Sequence, residues 1–339
     1  LVGLGIFAMF LHFLTWRLVF ISILPMGFLA VVAAIPLLRH SQHTQPTNES
    51  GPIDWIGSIL IVVTALTLVL SASHIHDGEQ AFTSSEGLRY HLPMSLLFLI
   101  LLTAFVLVQR RSINPVIELK HFRHQPFSLA LGTNVTYHFS MLATMTLIPI
   151  LVEHGFGRSP LFVTVVLLPS QSLGLFMPLV AGWIYDKYRP KLLRPATMIA
   201  IAGGFLILGL SAPHVSFWMM PLLMLPIALG TNMFNPINNA TIMNSLPLEH
   251  RGVASGMLET TRELGHALGA TAAATALVLS LPKAINLLSH QTARDFYFDG
   301  FQVSALMVVF VLLIGASMAY FHKTSLHEKE AGVITHSNS

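Results

Sequence analysis

The sequence has no cysteine and little charge: only 10% of its 339 residues are Asp, Glu, Lys or Arg. Without cysteine there is neither a disulfide framework nor thiolate chemistry. Soluble domains carry about a quarter of their residues as charges, so an ordinary water-facing surface is excluded. Three chemical signatures are missing as well. There is no phosphate-cradling glycine loop with its lysine, no nucleophile elbow and no metal-ligand spacing. That removes the common enzyme classes and any need for a cofactor or metal. The chain opens at Leu1 inside an apolar run, with no Met and no signal peptide. The expectation is a piece of a longer protein whose first spans lie upstream.

What is abundant is apolar sequence, 53% of the chain. Apolar runs of about 20 residues recur along it, the length that crosses a bilayer core. They are continuous rather than alternating, which excludes a β-barrel. The predicted fold class is an all-α polytopic membrane protein. A net charge of +3 reflects basic cytoplasmic loops, not a nucleic-acid partner.

The runs place a partial span at residues 1–15 and a whole one at 18–38, together the end of an N-terminal helix bundle. A polar loop follows at 39–52. The segment 53–109 holds a pair of spans, at 53–72 and 93–109. Six more fall at 127–152, 160–185, 193–212, 217–244, 252–281 and 300–321, a C-terminal bundle over 127–321, before a polar tail at 322–339. That layout has nine full spans and one partial. Alternating the loops puts 12 of the 18 Lys and Arg residues on one side. By the positive-inside rule that side, with the C-terminus, is cytoplasmic.

Polar residues stand out within the spans. Glu259, Arg262, Glu263 and His266 share one face at i, i+3, i+4, i+7 spacing. Glu259 lies roughly 12 Å along the helix from Arg251, deep in a core of about 30 Å. One charge at that depth costs on the order of 3 kcal/mol, and an i, i+3 pair offsets part of it. The group is either a proton carrier, with Arg262 tuning Glu259, or a self-satisfied pair that orients the helix. Asn134, Tyr137 and His138 share a stripe with Met141 and Met145, a lining suited to a promiscuous apolar cavity. Asn232, Asn235, Asn238 and Asn239 line the same cavity or act as polar glue between helices. Pro236 among them is expected to bend its helix, as in discontinuous transporter helices. Pro169, Gln171, Gly174 and Pro178 mark a flexible helix with Gln171 reaching the cavity. Gly252-x-x-x-Gly256 and Gly265-x-x-x-Gly269 are surfaces for close helix packing.

Gly182-x-x-x-Asp186-Lys187-x-Arg189 resembles the cytoplasmic loop motif of the major facilitator superfamily, with Tyr188 and Pro190 where a glycine is usual. Trp16-Arg17-x-x-Phe20, with Pro25 and Gly27, is similar to the start of the sixth span of the fourteen-helix drug:proton antiporters. Asn235-Pro236-x-Asn238-Asn239, Leu246-Pro247-x-Glu249-x-Arg251-Gly252-x-Ala254-Ser255-Gly256 and Arg262-Glu263-Leu264-Gly265-x-Ala267-Leu268-Gly269 are similar to the twelfth and thirteenth. Two departures stand out: Gly3-Leu4 replaces a Gly-Pro pair, and Glu259 replaces a common Asn.

The resemblance implies a partial major facilitator fold lacking its first four spans, with 53–109 as an inserted pair. It implies a proton-coupled antiporter of the inner membrane, a multidrug exporter of amphipathic or cationic molecules. Its partners would be substrate, protons, the lipid bilayer and the missing N-terminal spans; nothing in the sequence identifies a periplasmic adaptor. Gly182, Asp186, Lys187 and Arg189 would form a conformational latch, with Asp186 facing the next helix near Arg194; a plain basic anchor is the other reading. The alternative function is a non-transporting membrane protein that binds or supports a partner on the same fold.

Overall fold

The computed structural model describes residues 21, 24, 25, 27–35, 54–72, 84–113, 115–117, 119–188, 190–282, 285 and 289–322. The chain divides into two compact units, residues 1–53 and 54–339. In the first, residues 27–35 are helical and their apolar side chains are exposed. The partial span at 1–15, the loop at 39–52 and Arg189 lie outside the described residues.

In the second unit every regular element among the described residues is helical. These helices pack side by side as a bundle. α1 (Trp55–Ala72) and α2 (Ser85–Arg111) pair with each other. Asp54 caps α1, accepting from the Gly57 N–H at 2.8 Å and from Gln109 Nε2 at 2.9 Å. The Gly57 bond leads in holding its carboxyl below the ordinary 3.8. Buried Gln109 also accepts from the Ile117 N–H at 3.0 Å, so one amide joins both helices to the following loop.

α3 (Gln125–Ile150) starts with Pro126 in its first turn, where no N–H is missed. It runs into a single π turn, Leu151–Gly155. Then come α4 (Leu161–Leu173), α5 (Met177–Tyr188), α6 (Leu193–Ser211), α7 (Leu225–Asn244), α8 (Arg251–Ser280) and α9 (His290–Phe321). The closest-packed pairs are α3 with α8 and α6 with α9, and α7 lies against α6, α5, α4 and α3. Phe205, Phe234, Phe301, Leu147 and Met198 are fully buried between α3, α6, α7 and α9.

One expectation about helix continuity changes. The run read as one span at 160–185 is two helices. Leu175 and Phe176 N–H groups bond three residues back instead of four, and Pro178 has no N–H to bond at all. By contrast α7 stays helical through Pro236. Six helical stretches are long and apolar enough to cross a bilayer, and Trp55–Ser71 is a shorter apolar helix. α8 is not among the six; its first half carries Glu259, Arg262, Glu263 and His266.

The glycine pairs on α8 also part company. A Cβ on Gly265 would stand 2.6 Å from the Val135 carbonyl oxygen, and one on Gly269 would overlap the Phe139 backbone. These two let α8 lie directly on α3. Gly252 and Gly256 meet nothing within 4 Å among the described residues.

Candidate functional site

A cavity of about 400 Å³ opens between α3, α4, α5 and α7. α3 contributes Tyr137, Met141, Thr144 and Met145; α4 contributes Leu167, Ser170 and Gln171; α7 contributes Thr231, Asn232, Asn235, Pro236 and Asn239. Gly174 and Pro178, from the break and the start of α5, complete one wall, and Met224 and Ile227 another. The lining combines aliphatic and thioether surface with amides and hydroxyls, with no Asp, Glu, Lys or Arg among it.

Local geometry holds this wall in place. Buried Tyr137 donates from its hydroxyl to the Thr231 carbonyl at 3.2 Å, joining α3 to α7. Asn232 Nδ2 donates to the Ser170 carbonyl at 3.0 Å and to Ala228 at 2.8 Å, joining α7 to α4. The missing side chain of Gly174 leaves room for Asn232, whose Oδ1 would lie 3.1 Å from a Cβ there. The Oδ1 atoms of Asn235 and Asn239 are shielded and have no hydrogen-bond partner among the described residues. They are acceptors left for a ligand, or donors if the amides are turned.

Three residues read as cavity candidates do not line it. Asn134 and Asn238 are both fully buried in a polar relay between helices. Arg194 Nη2 donates to Asn238 Oδ1 at 2.7 Å, and Asn238 Nδ2 donates to Asn134 Oδ1 at 3.0 Å. Asn134 Nδ2 then donates to Thr261 Oγ1 at 2.9 Å and to the Leu258 carbonyl at 3.1 Å. The relay crosses α6, α7, α3 and α8, satisfying buried polar groups that would otherwise be costly. Buried His138 faces α8, with Nδ1 3.1 Å from His266 Nε2. Thr261 was not singled out in the sequence, and Arg194 was named only as a neighbour of Asp186. Their signal was an Arg at the second residue of an apolar helix and a hydroxyl one turn along α8 from Leu258.

The charged face of α8 lies apart from the cavity lining. Arg262 Nη1 is 2.9 Å from Glu259 Oε2, and the Glu259 side chain is 55% exposed. His266 Nδ1 is 3.7 Å from Glu263 Oε2. With Gly252, Ser255 and Gly256, Glu259 and Glu263 make an exposed small and polar stripe. At the depth expected from the sequence, such a carboxylate would need water or further protein against it, not lipid.

At the loop end, Gly182 is half-buried while Asp186 and Lys187 are exposed. Lys187 Nζ lies 5.1 Å from the Trp183 ring centroid, a cation–π contact. Arg194, expected beside Asp186, is buried and bonded to Asn238 instead; no described residue bonds to Asp186.

The described helices thus surround a mixed apolar and amide cavity, with ionisable groups on a neighbouring helix. A family model for the Major Facilitator Superfamily matches residues 1–270, and the chain belongs to that family. Among its relatives, an uncharacterized MFS-type transporter, YhcA of Bacillus subtilis, is 23% identical over 271 residues, 75% of this chain and 46% of its own. The multidrug efflux pump LfrA of Mycolicibacterium smegmatis is 24% identical over 255 residues, 75% of this chain and 48% of its own. The riboflavin transporter RibZ of Clostridioides difficile is 24% identical over 279 residues, 82% of this chain and 58% of its own. The chain spans about half the length of the curated relatives it matches.

Proposed function

We propose that the full-length protein is a secondary active transporter of the inner membrane, with its C-terminus cytoplasmic, that exports amphipathic or cationic small molecules in exchange for protons. Two helix bundles would rock about the cavity to expose it to each side in turn. Relatives named as multidrug pumps support export, and the family as a whole supports transport rather than catalysis. The observation that carries the reading is the cavity wall. Thioethers of Met141, Met145 and Met224 adapt to varied shapes, while Gln171, Asn235 and Asn239 supply donors and acceptors. Such a lining favours amphipathic cargo over strongly charged cargo, since no carboxylate stands in it.

Proton coupling falls to the face of α8. A proton arriving from outside would bond to Glu259 and release Arg262 from its 2.9 Å pair. The face would then change its charge and its preferred surroundings. Asp186, with Gly182, Lys187 and Arg189, would act at the loop between α5 and α6 as the latch on one conformation.

The test is full-length protein in proteoliposomes with an imposed pH gradient and ethidium as the probe. The gradient should drive dye movement, and Glu259→Gln should abolish it in protein that still elutes as a folded species. Gradient-independent dye behaviour would overturn the exporter reading. Intact coupling in Glu259→Gln would remove Glu259 from the mechanism and leave the pump.

A further inference from the structure

We propose that His138 and His266 together form a site for a single transferable proton, linking the exposed acidic face of α8 to the wall of the cavity. This rests on the transporter reading for its purpose but not for its existence.

The placement is continuous. Glu263 Oε2 lies 3.7 Å from His266 Nδ1, and His266 Nε2 lies 3.1 Å from His138 Nδ1. The His138 ring then meets the Tyr137 ring edge-on, with centroids 4.7 Å apart, and Tyr137 lines the cavity. Exposure falls along this series. Glu263 is 73% exposed, His266 is 21% and His138 is 2%. Gly265 makes the pairing possible, because a Cβ there would stand 2.9 Å from His138 Cβ.

Two features set the pair apart from a plain structural hydrogen bond. His138 Nε2 is buried and has no hydrogen-bond partner among the described residues. An orphaned nitrogen is a cost that a structural contact does not need. One turn away, Asn134 and Asn238 join helices through amides that cannot change charge. Two imidazoles do the same work with rings that, unlike amides, can change charge. At 3.1 Å only one ring can carry it, because two imidazoliums that close repel. Loading forms one N–H bond on the pair and breaks one O–H bond on the Glu263 carboxyl or a water. The pair's charge then rises by one.

The charged and titratable groups facing the pair are Arg262 and Glu263 on α8 and Tyr137 on α3, with Glu259 held to Arg262. α1, α4 and α7 carry no titratable side chain. Those of α9 sit in its first ten residues and at Tyr320, α6 carries only Arg194, and those of α5 lie at its loop end.

The test is an NMR titration of ¹⁵N-histidine-labelled full-length protein in lipid nanodiscs, over about pH 8 to 5, where histidine ordinarily changes charge. The signals of interest are those lost in His138→Gln and in His266→Gln. Both rings should change in one joint step. Removing either should displace the midpoint of the other by about one pH unit or more. Rings that titrate separately and do not respond to each other overturn the proposal, and so do rings that stay neutral throughout. If a glutamine variant does not fold, the asparagine variant at the same position supplies the assignment and the same two outcomes decide. No gradient or substrate enters, so the result is independent of whether ethidium is transported.

Discussion

Arg194 Nη2 donates to Asn238 Oδ1 at 2.7 Å, so a cation that is only 6% exposed is held by a neutral amide of the next helix, α7. Asn238→Ala should therefore cost more than a neutral helix contact, which averages about 0.6 kcal/mol in membranes. A loss of about 1–3 kcal/mol is expected, the range for stranding a buried polar group. Asn134→Ala, further along the relay, should cost less. Thermal unfolding of the full-length protein in detergent measures both. Wild-type stability in Asn238→Ala would show that the relay holds nothing together.

Gly269→Ala drives a methyl into the Phe139 backbone, which cannot move aside as a flexible side chain would. It should destabilise by about 1–3 kcal/mol, the usual range for overpacking. Gly252→Ala meets nothing among the described residues and should stay within about 0.5 kcal/mol of wild type. The same unfolding assay separates the two; equal effects would mean that the α3–α8 contact is not as close as described.

His322 follows the last residue of α9. Burial first, then the Arg194 guanidinium and His124, push its pKa from 6.5 down to about 4. The unfolded chain therefore takes up this proton before the folded one does. The contribution of His322 is complete above pH 6.5 and is lost as pH falls toward about 4. Melting temperature should drop over that window, and less steeply in His322→Gln. Superimposable pH profiles for the two proteins would contradict this.

Asn235→Leu and Asn239→Leu remove amide oxygens that have no hydrogen bond among the described residues. Neither change should lower stability. Both should weaken ethidium binding, followed by fluorescence on purified full-length protein, roughly three- to tenfold, the worth of one hydrogen bond. Unaltered affinity would place the dye elsewhere.

The helices were legible in the sequence because apolar length is a direct consequence of bilayer thickness: 127–152 and 193–212 were read where α3 and α6 begin and end within a few residues. The i, i+3 pairing of Glu259 with Arg262 was legible too, since one helix fixes that distance. What a residue faces was not. Asn235 and Asn238 stand three apart, yet one lines the cavity and the other bonds to Arg194, because the boundary between α4 and α6 passes between them. Arg194 was expected beside Asp186 because nothing in its own helix shows that α7 offers it an amide. Proline was equally ambiguous: Pro236 sits inside a continuous helix, whereas Pro178 follows a break. A missing N–H interrupts a helix only where the neighbours do not hold the turn in shape.

That interruption divides one crossing of the membrane into two levers of 13 and 12 residues. Asn232 fastens the first to α7 through the Ser170 carbonyl, while Asp186 and Lys187 ride on the second. Strain arriving at the loop can thus be absorbed at residues 174–176 before it reaches Gln171, so the α4 part of the ligand-facing wall keeps its form while the loop changes its own.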